Sequence, residues 1–450
     1  MCRHLKLVSL LIFLCADFLP AVAVNGNKAP ALFPIWNAQH KTGYIDVTGK
    51  IIIPPRFESG SDFSEGLAAV NIGGKWGFVD HAGNVTIAPA YYAAFPFSDG
   101  VAAVYEFGEP IRRCGYIDHT DHFVIELQSK FSCKPFKEGF AVVDLYNDAI
   151  GEDLSGYIDK GGNIPIGASY VFAGDFSNGL ALVHDSDKRV FIDRTGSTVI
   201  DLSGYAGRDT LSDQYEPSGP FGEGLAEVGI KIFSQYGYAR YGFVNQRGKI
   251  AFELPPELTV KGLFHDGRAL ILRQSTEHVT VRLGSGEIIR MTEQAARFGY
   301  INRSGKFAVQ ARFSDALDFS DGLAAVLTGS PRPVNQRDIA GSAIETRITD
   351  GPGTWKCIDV KGNVRIARCG VPLSRDELQK NFTLARDGFG RGFVNGLFFS
   401  IISSNKTIEE AVLAKEFGYM NKLGKFVWIS PEAEKQLPRA WLRKNFVGQS

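Results

Sequence analysis

The chain has 450 residues, is 44% hydrophobic and balances 49 basic against 49 acidic side chains. That is a globular composition with material for a large core. A net charge of zero argues against a general binder of nucleic acid or other polyanions, which would carry a basic excess.

The first element in chain order is a leader. Arg3 and Lys6 precede the apolar run Leu7 to Cys15, and Pro20-Ala21-Val22-Ala23 offers a small-x-small cleavage site, so residues 1–23 read as a secretory signal peptide. The run is too short to span a membrane, and no transmembrane segment is expected in the mature chain. The expected location is therefore periplasmic or secreted. Removing Cys2 and Cys15 leaves Cys114, Cys133, Cys357 and Cys369, an even set that reads as two disulfides in an oxidising compartment.

From Gly43 onward the sequence repeats. An aromatic-Ile/Val-Asp/Asn-x-x-Gly element recurs nine times, at Tyr44, Phe78, Tyr116, Tyr157, Phe191, Phe243, Tyr300, Cys357 (a degenerate copy) and Tyr419. A second element, Phe-x-x-Gly-Leu-Ala, recurs eight times around Gly66, Gly100, Gly139, Gly179, Gly224, Gly267, Gly322 and Gly396, alternating with the first. In the first unit, Tyr44-Ile45 begins a strand and Asp46-Val47-Thr48-Gly49 turns it. Ile51-Ile52-Ile53 returns, Pro54-Pro55 ends the ladder, and Leu67-Ala68-Ala69-Val70 is a third strand. Each unit is thus predicted to be a three-stranded antiparallel meander. One unit cannot bury its apolar face, and stacked units can. Each cysteine pair straddles one hairpin, at separations of 19 and 12 residues, which favours Cys114–Cys133 and Cys357–Cys369.

Lys75-Trp76-Gly77-Phe78-Val79-Asp80, taken with Phe63-Ser64-Glu65-Gly66-Leu67-Ala68-Ala69-Val70, resembles the WG-repeat (KWG) family of bacterial proteins. The resemblance spans roughly residues 33–430 in about eight repeats. Trp76 and Trp355 keep the tryptophan of the pattern, Tyr241, Phe298 and Phe417 replace it with other aromatics, and Cys114 and Ser155 depart from it. The resemblance implies an all-β repeat array, exported or envelope-associated in many members, with no catalytic residues to carry over.

The repeat array is expected over residues 24–430. Two arrangements satisfy it: a closed, propeller-like ring, which is preferred, and an open β-solenoid. The last unit, from Gly418, lacks a third strand, and Phe33–Trp36 stands alone before the first. Pairing of Phe33–Trp36 with Phe426–Trp428 would close the ring, and its absence would leave the array open. Ser203–Pro220 and Ser330–Gly353 read as inserted loops. Capping-box patterns at Ser374 and Thr407 predict helical insertions over about 374–387 and 407–416, and Ser430-Pro431 opens a helical tail over 431–450. Helices of that kind would suit an open end.

Little in the sequence points to chemistry. Asp46, Asp80, Asp118, Asp159, Asp193 and Asp359 recur at one turn position, where Asn245, Asn302 and Asn421 replace them. A turn-capping acceptor tolerates that swap and an ionised catalytic group does not, so these acids read as structural. The aromatics Trp76, Tyr241, Phe298, Trp355 and Phe417 recur at unit spacing and read as core rather than a sugar-stacking platform. His119-Thr120-Asp121-His122 lies in a turn without further ligands. Gly43 to Lys50 and Gly242 to Lys249 have the wrong spacing for a phosphate loop. No catalytic, cofactor or metal site is assigned. The expected function is a non-enzymatic binding or interaction module for an unidentified protein, glycan or envelope component, acting on the face where loops are inserted. The alternatives are a propeller-type enzyme, for which His119, His122, His265 and His278 are the candidates, and a purely structural envelope scaffold.

Overall fold

The computed structural model describes residues 30–450 except 109–112, 128–131, 148–150, 185–187, 204–212, 233–239, 284–287, 330–343, 348–353, 370–392, 402–416, 438–445 and 447–450. The signal peptide and both predicted helical insertions lie outside the described residues. Every strand falls in one unit, Ala31–Ser450.

The second sheet shows how the repeat folds. Its strands are Ser59–Gly60, Ala68–Ile72, Lys75–Val79 and Val85–Tyr91, hydrogen-bonded in that order. Gly73 and Gly74, at φ 62° and 80°, make the two-residue hairpin that joins the middle strands, with Ala68 opposite Val79. The return strand presses on Gly77, where a methyl group would lie 2.5 Å from the Ile87 carbonyl oxygen and 2.8 Å from the Pro89 nitrogen. Only hydrogen fits between the two flanking aromatics, and the ladder shifts register there, between Trp76 and Phe78.

The predicted unit is therefore shifted by one strand. Leu67–Val70 belongs with the following Trp-Gly strand, because the Gly-Gly hairpin is the tightest local connection. The longer stretch after Ile53 instead crosses to the next sheet. Most sheets have four strands rather than three, the extra one lying at or before the Phe-x-x-Gly and in most cases only two residues long.

Nine antiparallel sheets form among the described residues, not about eight. Each holds one copy of the first element, so that element sets the count. The first sheet uses Phe33–Trp36, Thr42–Ile45 and Ile51–Phe57. Residues predicted as loops also form strands. Asp213–Gly222 pairs with Leu225–Ile232, and Ile344–Arg347 adds to the edge of the long strand Arg268–Leu283. Backbone pairing needs no apolar alternation, so polar insertions can extend a sheet without announcing it. In the tail, one short helix, Pro431–Gln436, starts at the Ser430 cap, whose hydroxyl accepts from the Ala433 N–H at 3.2 Å.

Nine buried clusters fill the joints between successive sheets, and the ninth joins the last sheet to the first. Within a strand, alternate residues serve opposite joints: Ala68 and Val70 face the first sheet, and Ala69 faces the third. Across successive joints one ring of a sheet meets the element-two phenylalanine of the next. Tyr44–Phe63, Phe78–Phe97, Tyr116–Phe136, Tyr157–Phe176, Phe191–Phe221, Phe243–Phe264 and Tyr300–Phe319 have centroids 4.7 to 5.0 Å apart.

Six of the joints are also stapled by an acid that accepts from a glycine N–H of the next sheet. Glu65 accepts from the Gly100 N–H at 3.0 Å, Asp99 from Gly139 at 2.6 Å, Glu138 from Gly179 at 2.8 Å and Asp321 from Gly396 at 2.8 Å. These four acids sit at positive φ, 52 to 56°. The cross-joint hydrogen bond holds them in that uncommon backbone state.

Phe33–Trp36 does not pair with Phe426–Ile429; it pairs with Thr42–Ile45. A hairpin a few residues long costs far less chain entropy than a closure across the whole array. The circuit closes by packing instead. Phe33, Ile35 and Ile45 share a buried cluster with Leu397, Phe417, Tyr419 and Val427, and the Trp36 and Trp428 rings meet edge-on at 5.0 Å. The arrangement is an all-β propeller of nine sheets.

Candidate functional site

Five of the sheets open on a two-residue strand that forms one edge. In register, Ser59 lies opposite Asn71, Ala93 opposite Tyr105, Phe172 opposite His184 and Asp315 opposite Leu327. Phe172 thus occupies a position that is small or polar in its counterparts, and it is 53% exposed.

A cavity of about 500 Å³ opens beside it, lined by residues of five consecutive sheets, the third to the seventh. Such convergence places the cavity on the inner wall of the ring. Its apolar lining includes Phe172, Leu182, Pro220 and Leu263. Its polar lining is held by the same staples that fix the joints. The Ser98 hydroxyl donates to the Phe136 carbonyl at 2.5 Å, and the Ser177 hydroxyl to the Phe221 carbonyl at 2.9 Å. Glu138 accepts from the Asn178 and Gly179 N–H groups at 2.8 Å and meets Arg194 at 3.3 Å, while Lys137 stands 3.5 Å from Asp175.

Glu227, on the neighbouring strand Leu225–Ile232, is partly buried, and desolvation pushes its carboxyl up from 4.5 to about 7. A folded pKa above the unfolded one means that the unfolded chain loses the proton first. Stability should therefore fall as pH rises from 4.5 towards 7 and level off above it. Glu227→Gln should match the parent near pH 4 and exceed it by about 2 kcal/mol near pH 8. Urea denaturation at both pH values checks this.

The recurrent turn acids lie one to a sheet. Asp80 Oδ1 accepts from the Ala82 and Asn84 N–H groups at 2.9 and 2.8 Å. Asp46, Asp118, Asp159, Asp193 and Asp359 accept from the same two positions of their own turns. Asn245 does so too, at 3.0 and 3.1 Å. The Thr120 hydroxyl holds the Asp118 carboxyl below its usual range, as the Thr195 hydroxyl does for Asp193. Asp80→Asn should leave the melting temperature nearly unchanged, whereas Asp80→Ala should cost about 1 kcal/mol. Thermal unfolding of both variants tests the difference.

Trp76, Tyr241, Phe298 and Trp355 are partly buried and Phe417 fully, each packed at a joint. The structure does not bring the histidines together. His119, stacked on Phe97 at 4.1 Å, and His122 lie in the third sheet, whereas His265 and His278 lie in the seventh. Among the described residues, no group of three His, Cys, Asp or Glu side chains is placed to hold a metal. Both expected disulfides are formed, with Cα–Cα distances of 6.0 Å for Cys114–Cys133 and 5.5 Å for Cys357–Cys369.

No motif in the sequence singles out Phe172, Lys137, Asp175 or Glu227. Phe172 could have been found by aligning the residue twelve places before each partner strand position, where it replaces serine, alanine or aspartate.

Five segments match the family model of a WG containing repeat: 43–76, 76–106, 115–147, 156–188 and 298–330. No curated protein sequence matches the chain. Among solved structures it is similar to a eukaryotic initiation factor, at 11% identity and a TM-score of 0.34, over 74% of this chain and 94% of that one. It is also similar to a putative TolB from Agrobacterium tumefaciens, at 12% identity and a TM-score of 0.26, over 50% and 89%. The biofilm matrix protein Bap1 of V. cholerae matches at 9% identity and a TM-score of 0.24, over 89% and 79%. These likenesses are too slight to carry any functional argument.

Proposed function

The chain belongs to the WG-repeat family, and from its inner-wall geometry we propose that it is an exported, non-enzymatic binding module. The observation that carries the reading is the cavity at which five consecutive sheets converge. Its volume lies in the range of small-ligand sites, and its lining mixes apolar surface with a few fixed polar groups. Two disulfides support an oxidising compartment. Among the described residues, no helix is long and apolar enough to cross a membrane. The turn acids are capped by their own backbones and the histidines lie sheets apart, which favours binding over catalysis.

The test is a thermal-shift screen of the full chain against soluble envelope glycans and peptides. A ligand of the cavity should raise the melting temperature in proportion to its saturation. Leu263→Trp, which fills the cavity from a partly exposed position, should abolish that shift. If every stabilising compound acts equally on Leu263→Trp, the cavity is not the binding site.

A further inference from the structure

We propose that Glu227 is a pH-operated latch on the joint between the sixth and seventh sheets: protonated it closes the joint behind the cavity, and ionised it draws water in and releases the wall. Unlike the reading of the cavity as a binding site, the latch does not depend on what the cavity holds.

In the second to eighth sheets, the residue opposite the element-one aromatic, or opposite Cys357, is in turn Ala69, Ala103, Val142, Leu182, Glu227, Leu270 and Ala325. All but Glu227 are aliphatic and buried in the joint with the following sheet. Along the strand of Glu227, Ala226 and Val228 face the fifth sheet, and Leu225 is buried against the seventh. Glu227 shares the side of Leu225. A carboxyl therefore stands where the repeat otherwise puts a hydrocarbon.

The backbone is adapted to it. The ladder on one side of Glu227 runs from Pro217 opposite Val228 to Phe221 opposite Ala226, so Ser218, Gly219 and Pro220 bulge out where one residue would pair. A methyl group on Gly219 would lie 3.6 Å from the Glu227 Cβ, 3.7 Å from its Oε2 and 3.9 Å from the Leu263 side chain. The carboxyl thus lies beside the bulge, close to the inner segment of the seventh sheet. Pro220 and Leu263, one from each of those pieces, both line the cavity.

The groups facing the carboxyl come from three elements: Ser218 from the bulge, Tyr241 from the adjacent strand Arg240–Asn245, and Lys261 from the seventh sheet. Asp318 of the eighth sheet packs on the neighbouring Gly262. Burial disfavours the ionised carboxyl more than Ser218 and Lys261 favour it, which is why its pKa rises to about 7. Raising the pH through that value puts a charge in the joint, and hydration relieves a buried charge. On the side of Arg240–Asn245 the ladder is unbroken, with Ala226 opposite Val244 and Val228 opposite Gly242. The bulge is the side that yields, because Ser218–Pro220 lies outside the ladder. Opening there parts Pro220 from Leu263 and widens the cavity.

The test is hydrogen–deuterium exchange of the full chain at pH 5.5 and 8, corrected for the intrinsic pH dependence of exchange. Segments 213–232 and 258–264 should open about tenfold or more often at pH 8, since the solvated carboxyl titrates near 4.5 and the latched one near 7. The corresponding segments of the second and third sheets, 59–72 and 93–105, should not respond. Glu227→Gln should abolish the response. Lys261→Gln removes a facing cation and should move its midpoint to higher pH, which a purely structural side chain would not do. An equal response in all sheets would mean that ionisation lowers global stability without a latch, and would overturn the proposal. Persistence of the local response in Glu227→Gln would overturn it too. Should that variant not fold, the parent chain decides: opening of 213–232 and 258–264 that is flat between the two pH values overturns the latch.

Discussion

Gly49→Ala is expected to destabilise the folded chain by about 3 kcal/mol or more, while Gly66→Ala should cost only about 1 kcal/mol. The two glycines share one backbone state, φ +88° and +89°. A side chain at either is strained by the same local sterics. They differ in surroundings. Around Gly66 nothing lies within 4 Å of an added methyl group, whereas at Gly49 the methyl would sit 2.2 Å from the Val427 carbonyl oxygen and 3.1 Å from the Val427 Cβ. Gly49 is in the first sheet and Val427 in the ninth, so the extra cost is that of forcing open the closing joint. That contact is the ordinary one of the ring: the corresponding turn glycines Gly83, Gly196 and Gly424 press on Ile53, Ile166 and Ile366 of the sheets before them. Urea denaturation of the two variants measures the difference. Equal losses would mean that the first and ninth sheets are apart in solution and that the array is open.

The repeat was legible because its turns are local. The Asp-x-x-Gly turn and the element-two glycine each fix a backbone state that few other residues adopt, and they return at unit spacing. Their frame was less legible. Leu67–Val70 is sequentially close to strands on both sides, and only the hairpin at Gly73-Gly74 decides which one it joins. Closure was not legible as strand pairing because none occurs. It depends on Trp36, Phe417 and Trp428, unlike residues that meet in space and share no pattern in sequence. The inner wall was hidden for a related reason. Ser98 and Glu138 look like ordinary repeat residues, and they line a cavity only because the ring brings five such positions together. Cysteine pairing was readable because each pair spans a single hairpin, 19 and 12 residues apart.

Phe136→Ala should cost about 4 kcal/mol, and Tyr116→Phe about 1 kcal/mol, although the two rings touch. Phe136 has no exposed surface, and its ring meets Tyr116 edge-on at 4.8 Å in the joint between the third and fourth sheets. Truncation leaves a cavity bounded by two sheets and by the Cys114–Cys133 bridge, which limits how far the walls can collapse. Removing the Tyr116 hydroxyl only ends its donation to the Lys134 carbonyl at 2.9 Å. Phe97→Ala and Phe264→Ala should lose similar amounts, since both rings are buried to the same degree in equivalent joints. Phe63→Ala should lose less, because its ring is partly exposed. The form of the transition carries the stronger information. In a closed ring each sheet is held on both sides, so a weakened joint should shift one cooperative unfolding transition to lower denaturant. In an open array the same variant would divide the chain at the damaged joint and give two transitions, as nearest-neighbour repeat energetics require. Denaturation followed by both far-UV circular dichroism and tryptophan fluorescence distinguishes the cases, because Trp36 and Trp428 at the closing joint, with Trp76 and Trp355 at two other joints, report on a few joints while the ellipticity reports on every sheet.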